Sequence, residues 1–94
     1  MKVDNPEKYK FIKFERSTVK NKKYNAVLEN KETKQSKKVP FGDKRYEQYE
    51  DKALGLYKSK DHKDAKRRKA YRQRHRGEEL NKFSSGYFAY KYLW

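Results

Sequence analysis

The sequence predicts an α+β domain, in which a small antiparallel sheet of two or three strands is followed by two or three helices. Two observations predict this order. In the first half of the chain, short runs of aromatic and β-branched residues are separated by polar turn-forming segments, as in hairpins and meanders. In the second half, a long charged segment is bounded by residues that start and stop helices. The 94 residues are enough for one domain of this kind.

Three runs fit strands: Lys10–Glu15, Tyr24–Glu29 and Ser36–Phe41. The polar segment Asn30–Gln35 predicts a turn between the second and third runs. Pro40 has no amide hydrogen to donate, so the third strand is expected at an edge of the sheet or ends there. Gly42 follows at a point where the chain must turn.

The segment between the strands and the main helix gives a weaker pattern. Tyr46 and Tyr49 have helical spacing, but Gly55 interrupts it, which predicts a helical turn followed by a loop in residues 43–60. The longest helix is predicted over Asp61–Arg76, with Asp61 as its N-cap and Gly77 as its stop.

The last segment, Phe83–Trp94, is rich in aromatic residues. Ser84 or Ser85 can cap a short helix, which is the structure we predict here. A strand is the alternative, because aromatic side chains alternate over Phe88–Trp94.

The composition indicates a small core built from aromatic side chains. Leu, Ile, Val and Phe together supply only 15 of 94 residues, which is typical of disordered chains when the charge is high. Nine Tyr and one Trp compensate for this, since each aromatic side chain buries roughly 150–250 Å². The chain has no Cys, and its N-terminus lacks the apolar run of a secretory signal, so we expect a protein that is neither secreted nor bound to a membrane.

The charge is strongly positive and unevenly distributed. The chain has 27 Lys and Arg against 13 Asp and Glu, and residues 58–76 alone hold ten basic and two acidic residues. Such a segment attracts polyanions, and we expect nucleic acid or an acidic protein as the partner. The residues predicted to contact phosphates are Lys58, Lys60, Lys63, Lys66, Arg67, Lys69, Arg72, Arg74 and Arg76.

A polar stripe runs along one side of the predicted helix. Its members recur at i, i+4, i+7 and i+11: Asp64, Arg68, Tyr71 and His75. The favoured interpretation is a buried polar network that fastens the helix to the aromatic end, because buried polar groups need partners. The alternative is a functional site.

Catalysis receives little support from the sequence. His62 and His75 are thirteen residues apart, and no third ligand pattern accompanies them, so we expect no metal site. No phosphate-binding loop or nucleophile motif is present, and we expect no cofactor and no enzymatic activity. The alternative is a small metal-dependent nuclease that uses Asp61, His62, Asp64 and His75.

Five local signatures occur in a fixed order along the chain. They are Val39-Pro40-Phe41-Gly42-Asp43, Tyr46-x-x-Tyr49, Asp61-His62-x-Asp64, Arg67-Arg68-x-x-Tyr71-x-x-Arg74-His75, and Gly86-Tyr87-Phe88 through Leu93-Trp94. In these residues, over Lys23–Trp94, the chain resembles a family of small uncharacterised basic proteins encoded by large DNA viruses of algae and protists, with shorter relatives in tailed phages.

The resemblance implies a viral origin and a location in the virion or in the nucleus or cytoplasm of the infected cell. It sets residues 1–21 apart as a variable N-terminal extension of a single small basic domain, residues 22–94, and it implies no catalytic residues. Combined with the charge, it leads us to expect a nucleic-acid-binding accessory protein that uses phosphate contacts from the basic helix. We expect DNA before RNA, or an acidic virion protein, as its partner. A minor structural or cement protein of the virion is the alternative that the resemblance leaves open.

Overall fold

A computed structural model describes residues 3–94 of the chain. Three strands, β1 (Tyr9–Arg16), β2 (Lys22–Asn30) and β3 (Ser36–Asp43), form one antiparallel sheet in the order β1-β2-β3. Two helices follow, α1 (Ala65–Arg74) and α2 (Ser85–Tyr92). The predicted α+β arrangement is therefore confirmed.

The turn between β2 and β3 lies where the polar segment predicts it. The side-chain Oδ1 of Asn30 accepts hydrogen bonds from the amides of Glu32 (2.9 Å) and Thr33 (3.1 Å). Asparagine favours this arrangement because its short side chain bonds to the backbone that follows it. Lys34 takes a left-handed conformation with φ 65° and donates its amide to the Asn30 carbonyl, which reverses the chain.

Strand β1 lies inside residues 1–21, the segment that the sequence set apart as an extension. It pairs with β2 from Tyr9 to Arg16, with an irregularity between Phe11 and Lys13. Its Phe14 side chain packs against Phe41 of β3, with ring centroids 5.6 Å apart. The sheet therefore begins well before residue 22, and this strand contributes to the core.

The segment between β3 and α1 is mostly irregular, with one short 3₁₀ turn at Lys58–Lys60. The helical turn expected around Tyr46 and Tyr49 does not form. Gln48 instead pairs with Asp61 in an isolated β-bridge, and its side chain is fully buried. Long-range hydrogen bonds to Gln48 override the local spacing of the two tyrosines.

Helix α1 is shorter than predicted at both ends. Its N-cap is Asp64, whose side chain accepts from the amides of Lys66 (2.9 Å) and Arg67 (3.3 Å), and not Asp61. Lys63 has φ 51°, a left-handed conformation that a helix running from residue 61 could not contain. Asp61 bonds to the neighbouring loop. At the other end, the helix ends at Arg74, and Gly77 has φ 96°.

Helix α2 confirms the helical alternative for the aromatic end of the chain. The Ser84 hydroxyl accepts from the Tyr87 amide at 3.0 Å and caps the helix. Phe88 is 1% exposed and stacks on Phe41 with centroids 5.5 Å apart. The buried apolar residues of the described chain are Val3, Tyr24, Ala26, Val27, Leu28, Val39, Phe41, Phe83, Phe88 and Leu93. The core thus lies between the sheet and α2, and α1 stays outside it.

Within residues 3–94, no helix is long and apolar enough to cross a membrane.

Candidate functional site

Helix α1 lies on the surface of the molecule. None of its ten residues is buried, although it is the longer of the two α-helices. A helix of this length is marginal by itself in water, so contacts with the rest of the protein must hold it in place. Those contacts are aromatic and polar, and they converge on Trp94 at the far end of the chain.

The aromatic contact is a row of three rings. Tyr71 stacks almost parallel on Trp94, with centroids 4.3 Å apart and an interplanar angle of 5°. His75 stacks on Tyr71 at 4.2 Å and 25°. Burial raises the pKa of Tyr71 to about 12, so its hydroxyl stays protonated at neutral pH. The row fixes the side of α1 that faces the body of the protein.

Two arginines add polar contacts beside the rings. Arg68 Nε donates to the main-chain oxygen of Trp94 at 2.8 Å, and Arg72 Nη2 donates to the same oxygen at 3.1 Å. The Arg68 guanidinium lies over the Tyr49 ring at 4.8 Å, and that of Arg72 lies over Tyr90 at 4.6 Å.

The structure therefore brings three of the four predicted stripe residues, Arg68, Tyr71 and His75, to the junction with the aromatic end, but they are half-buried there and not buried as predicted. Asp64 is different, because it is exposed and caps the helix. No ion pair between Asp64 and Arg68 forms among the residues that the structure describes.

The predicted phosphate-contacting residues differ in their surroundings. Six of them are exposed and form no ion pair within the described chain: Lys58, Lys63, Lys66, Lys69, Arg74 and Arg76. Arg67 is also exposed, but it pairs with Glu47 at 2.9 Å. Lys60 and Arg72 are half-buried. The structure thus gathers most of these cations around α1, where they are accessible to solvent.

One side of α1 forms a groove of about 440 Å³, which we call the arginine groove. Its lining residues on and next to the helix follow the spacing of a single helical face: Ala65, Arg68, Lys69, Arg72, Gln73 and Arg76. Tyr90 of α2 closes the groove from the opposite side. Four cations line this groove and no acidic residue does.

The other side of α1 forms a larger depression of about 550 Å³, which we call the central cleft. Arg67, Tyr71, Arg74 and His75 form one wall, and the second wall comes from the end of the sheet and from α2. Acidic side chains also line this cleft: Asp43, Glu47 and Glu78. Its lining is therefore mixed in charge, in contrast to the arginine groove.

The outer face of the sheet is also rich in lysine, but its charges are partly neutralised. Lys38 pairs with Glu15 at 2.9 Å, and Lys10 pairs with Glu29 at 3.5 Å. The Lys10–Glu29 pair joins residues that face each other on β1 and β2, as expected for opposite charges across a sheet. The Lys38–Glu15 pair spans β2 and joins the two edge strands. The cations of this face are less available to a polyanion than those around α1.

A buried lysine beneath the loop is a feature that the sequence did not reveal. Lys23 is 1% exposed, and its ammonium donates to the Tyr46 carbonyl at 2.9 Å and to the side-chain oxygen of Gln48. Burial lowers the pKa of Lys23 to about 8, because the charged form loses its hydration. A lysine in a charged, lysine-rich strand carries no signal that distinguishes it from its exposed neighbours.

The same loop is held by two carboxylates and a tyrosine. The Tyr24 hydroxyl donates to Asp51 at 2.5 Å and accepts from the Leu56 amide at 2.9 Å. Asp61 accepts from Gln48 Nε2 at 2.6 Å and from the Asp51 amide at 2.8 Å. Burial raises the pKa of Tyr24. These bonds shape residues 44–61 and so fix where α1 starts.

The four residues of the nuclease alternative have separate structural roles. Asp61 belongs to the loop network, and Asp64 caps α1. His62 Nδ1 accepts from the Asp64 amide at 2.9 Å, and burial lowers the pKa of this imidazole. His75 stacks on Tyr71. Over residues 3–94, no three His, Cys, Asp or Glu side chains are placed to hold a metal ion.

Comparison with known proteins gives one similarity. A family of unknown function (DUF5754) matches residues 12–53, which cover most of the sheet and the start of the loop that follows it. The match includes less than half of the chain and stops before α1. No curated protein and no solved structure matches the chain.

Proposed function

We propose that this protein binds nucleic acid, DNA in preference to RNA, through phosphate contacts made by α1, as an accessory protein of a large DNA virus. The observation that carries the proposal is the cluster of exposed cations around α1 that have no acidic partner within the described chain. The viral setting rests on the sequence resemblance.

The physical basis is the release of counterions. A nucleic acid holds condensed cations along its backbone, and each phosphate that a Lys or Arg neutralises frees some of them. Cations already paired with carboxylates, such as Lys38 with Glu15, gain less from such an exchange. The unpaired cations of α1 do not have to break an ion pair before they bind a phosphate.

The arginine groove supplies the geometry for a row of contacts. Arg68 and Arg72 are four residues apart on α1, which spaces them by about 6 Å along the helix axis, and Arg76 follows just beyond the end of the helix. Arg68 and Arg72 already donate to Trp94 and are therefore held in position. Each guanidinium has five N–H donors, so donors remain for a phosphate after these bonds are made.

The test is a salt titration of binding to duplex DNA by the wild type and by a Lys69→Gln/Arg76→Gln variant. Gln has nearly the helix propensity of Lys and Arg, so the fold should be retained. We expect the slope of log affinity against log salt to become shallower by about 0.9 for each phosphate that the variant no longer neutralises.

The matched control is Lys10→Gln/Lys38→Gln, which removes the same charge from the paired face of the sheet. Equal effects of the two double variants would contradict a role for α1 and leave only a general attraction to positive charge. Poly-glutamate is the competing polyanion: tighter binding to it than to DNA would favour an acidic virion protein as the partner.

A further inference from the structure

The central cleft has an apolar floor beneath its charged rim. Phe41 of β3 and Leu93 lie beneath the floor and are 0% and 1% exposed, so the accessible apolar surface comes from the half-buried Ala89 of α2 and the Trp94 ring. Gly42 brings the sheet close to this floor, since a side chain there would start 2.8 Å from the Leu93 methyl group. A phosphate group alone would gain no binding free energy from contact with this apolar surface.

The rim provides cations on opposite walls. Lys22 at the start of β2 and Arg74 at the end of α1 both line the cleft, and neither forms an ion pair within residues 3–94. These two side chains are separated in sequence by the whole loop and helix. The fold brings them to the lining of the same depression, where an anionic group of a bound molecule could contact both.

A carboxylate lies between the rim and the floor. Glu78 Oε2 is 3.0 Å from His75 Nδ1, and the Glu78 carboxyl group rests directly against Gly86 at the start of α2. A Cβ atom on residue 86 would be 2.7 Å from Glu78 Cδ, so a side chain there would displace the carboxylate from this position. The Glu78 carboxylate lines the cleft beside His75 and Gly86, where it can accept hydrogen bonds.

We propose that the central cleft binds one unpaired base of a single-stranded nucleic acid. The flat faces of the base contact the apolar floor, its amino edge donates to Glu78, and its phosphate lies between Lys22 and Arg74. A volume of about 550 Å³ is in the range of small-ligand sites. The inference rests on the proposed function and deepens it, since it selects single strands over duplexes.

The preference for single strands follows from the cost of exposing a base. In a duplex, a base reaches such a pocket only after it is unstacked and unpaired, whereas a single strand offers it directly. Contact of a base with an aromatic surface adds to phosphate binding without requiring a particular sequence. We therefore expect a single strand to bind more tightly than a duplex at the same salt concentration.

The experiment uses Trp94 as the reporter, because it is the single tryptophan of the chain and lines the cleft. Oligo-deoxyadenylate and an abasic strand with the same number of phosphates are titrated into the full chain, and binding is followed by anisotropy and by tryptophan fluorescence. We expect the abasic strand to bind roughly tenfold more weakly. Only the strand that carries bases should change the Trp94 emission.

A variant that fills the floor gives a second measurement. Ala89→Leu should reduce the affinity difference between the two strands to less than twofold, while binding of the abasic strand is unchanged. Ala70→Leu is the matched control, because Ala70 lines neither the groove nor the cleft. If Ala89→Leu fails to melt cooperatively, the affinities of the wild type for the two strands are a sufficient test of the base site.

The outcomes separate the two proposals. Equal affinity for both strands, with no change in Trp94 emission, would overturn the cleft as a base site and leave phosphate binding by α1 in place. Failure of every strand and of duplex DNA to bind at low salt would overturn the proposed function, and the base site with it.

Discussion

Lys23 shows how one residue makes the stability of this protein depend on pH. Its ammonium is enclosed by the loop that leads to α1, and its partners are a carbonyl and an amide oxygen, neither of which carries a charge. Nearby carboxylates such as Asp51 favour the charged form, but the loss of hydration is the larger effect. The folded protein therefore solvates the Lys23 ammonium less well than water does.

The sign of the effect on stability follows from proton binding. Below pH 8 the lysine is charged in the folded and the unfolded protein, and the folded state bears the full cost. Between pH 8 and the ordinary value of 10.5, the folded protein has released its proton and the unfolded chain has not, so stability rises with pH. The shift to about 8 corresponds to about 3 kcal/mol across this window.

We therefore expect urea unfolding of the wild type to show increasing stability from pH 7.5 to 9.5. Lys23→Met should lose the part of this rise that belongs to the buried ammonium, whatever its stability at pH 7. Lys10→Met, on the outer face of the sheet, should keep the wild-type slope. If the pH profiles of Lys23→Met and the wild type were parallel, burial of a charged ammonium would not be the cause.

At the scale of an element, α1 depends on one aromatic stack to a degree unusual for a helix. With no buried side chain of its own, it is held mainly by Tyr71 on Trp94 and by the two arginines that bond to Trp94. A stacked aromatic pair contributes about 0.5–1.5 kcal/mol beyond the area it buries. That amount is small for a whole protein but large for a helix with few other contacts.

We expect Tyr71→Leu to loosen α1 without unfolding the sheet. Trp94 fluorescence should shift to longer wavelength as its ring becomes hydrated, and the helical circular dichroism should decrease. Tyr46→Leu is the control, because Tyr46 is 65% exposed and lies outside the stack. Unchanged emission in Tyr71→Leu would show that the stack is not what positions the helix.

The elements were predictable from the sequence wherever local chemistry determines them. The strands follow from runs of aromatic and β-branched residues, the β2–β3 turn from Asn30, and α2 from its serine cap. The start of α1 was not predictable, because Asp61 and Asp64 are both good caps locally. The side chain of Gln48, thirteen residues earlier, donates a hydrogen bond to the Asp61 carboxylate, so Asp61 does not cap the helix.

The candidate site was likewise predictable from the sequence only in part. The cations around α1 were predictable because they are close together in the sequence, and a charge run needs no tertiary structure to be seen. The central cleft was not, since Lys22, Arg74 and Ala89 come from three distant segments. Nothing in the sequence indicates that Lys23 is buried while Lys22, beside it, stays half-exposed.

At the scale of the whole molecule, the aromatic end of the chain completes a core that the sheet cannot build alone. Phe88 contacts Phe14, Phe41 and Phe83, with ring centroids between 5.5 and 6.0 Å. These three phenylalanines come from β1, β3 and the segment before α2. Because aliphatic residues are scarce, few other side chains could replace these contacts.

We expect Phe88→Ala to lower the free energy of unfolding by about 3–5 kcal/mol, a large part of the roughly 5–15 kcal/mol typical of a domain. Leu80→Ala is the control: Leu80 is 82% exposed, and its loss should change the value by less than about 0.5 kcal/mol. Urea unfolding followed by circular dichroism measures both. Similar midpoints for the two variants would place Phe88 outside the core.

The surface position of α1 has a consequence for amide hydrogen exchange. A helix without buried side chains can open while the rest of the protein stays folded, so its amides should exchange at a lower free energy than those of β2, which is buried from Lys23 to Leu28. A ligand that contacts α1 favours the closed helix and slows its exchange selectively. Increased protection in residues 68–75, with the strands unchanged, would then map the contact surface without any substitution.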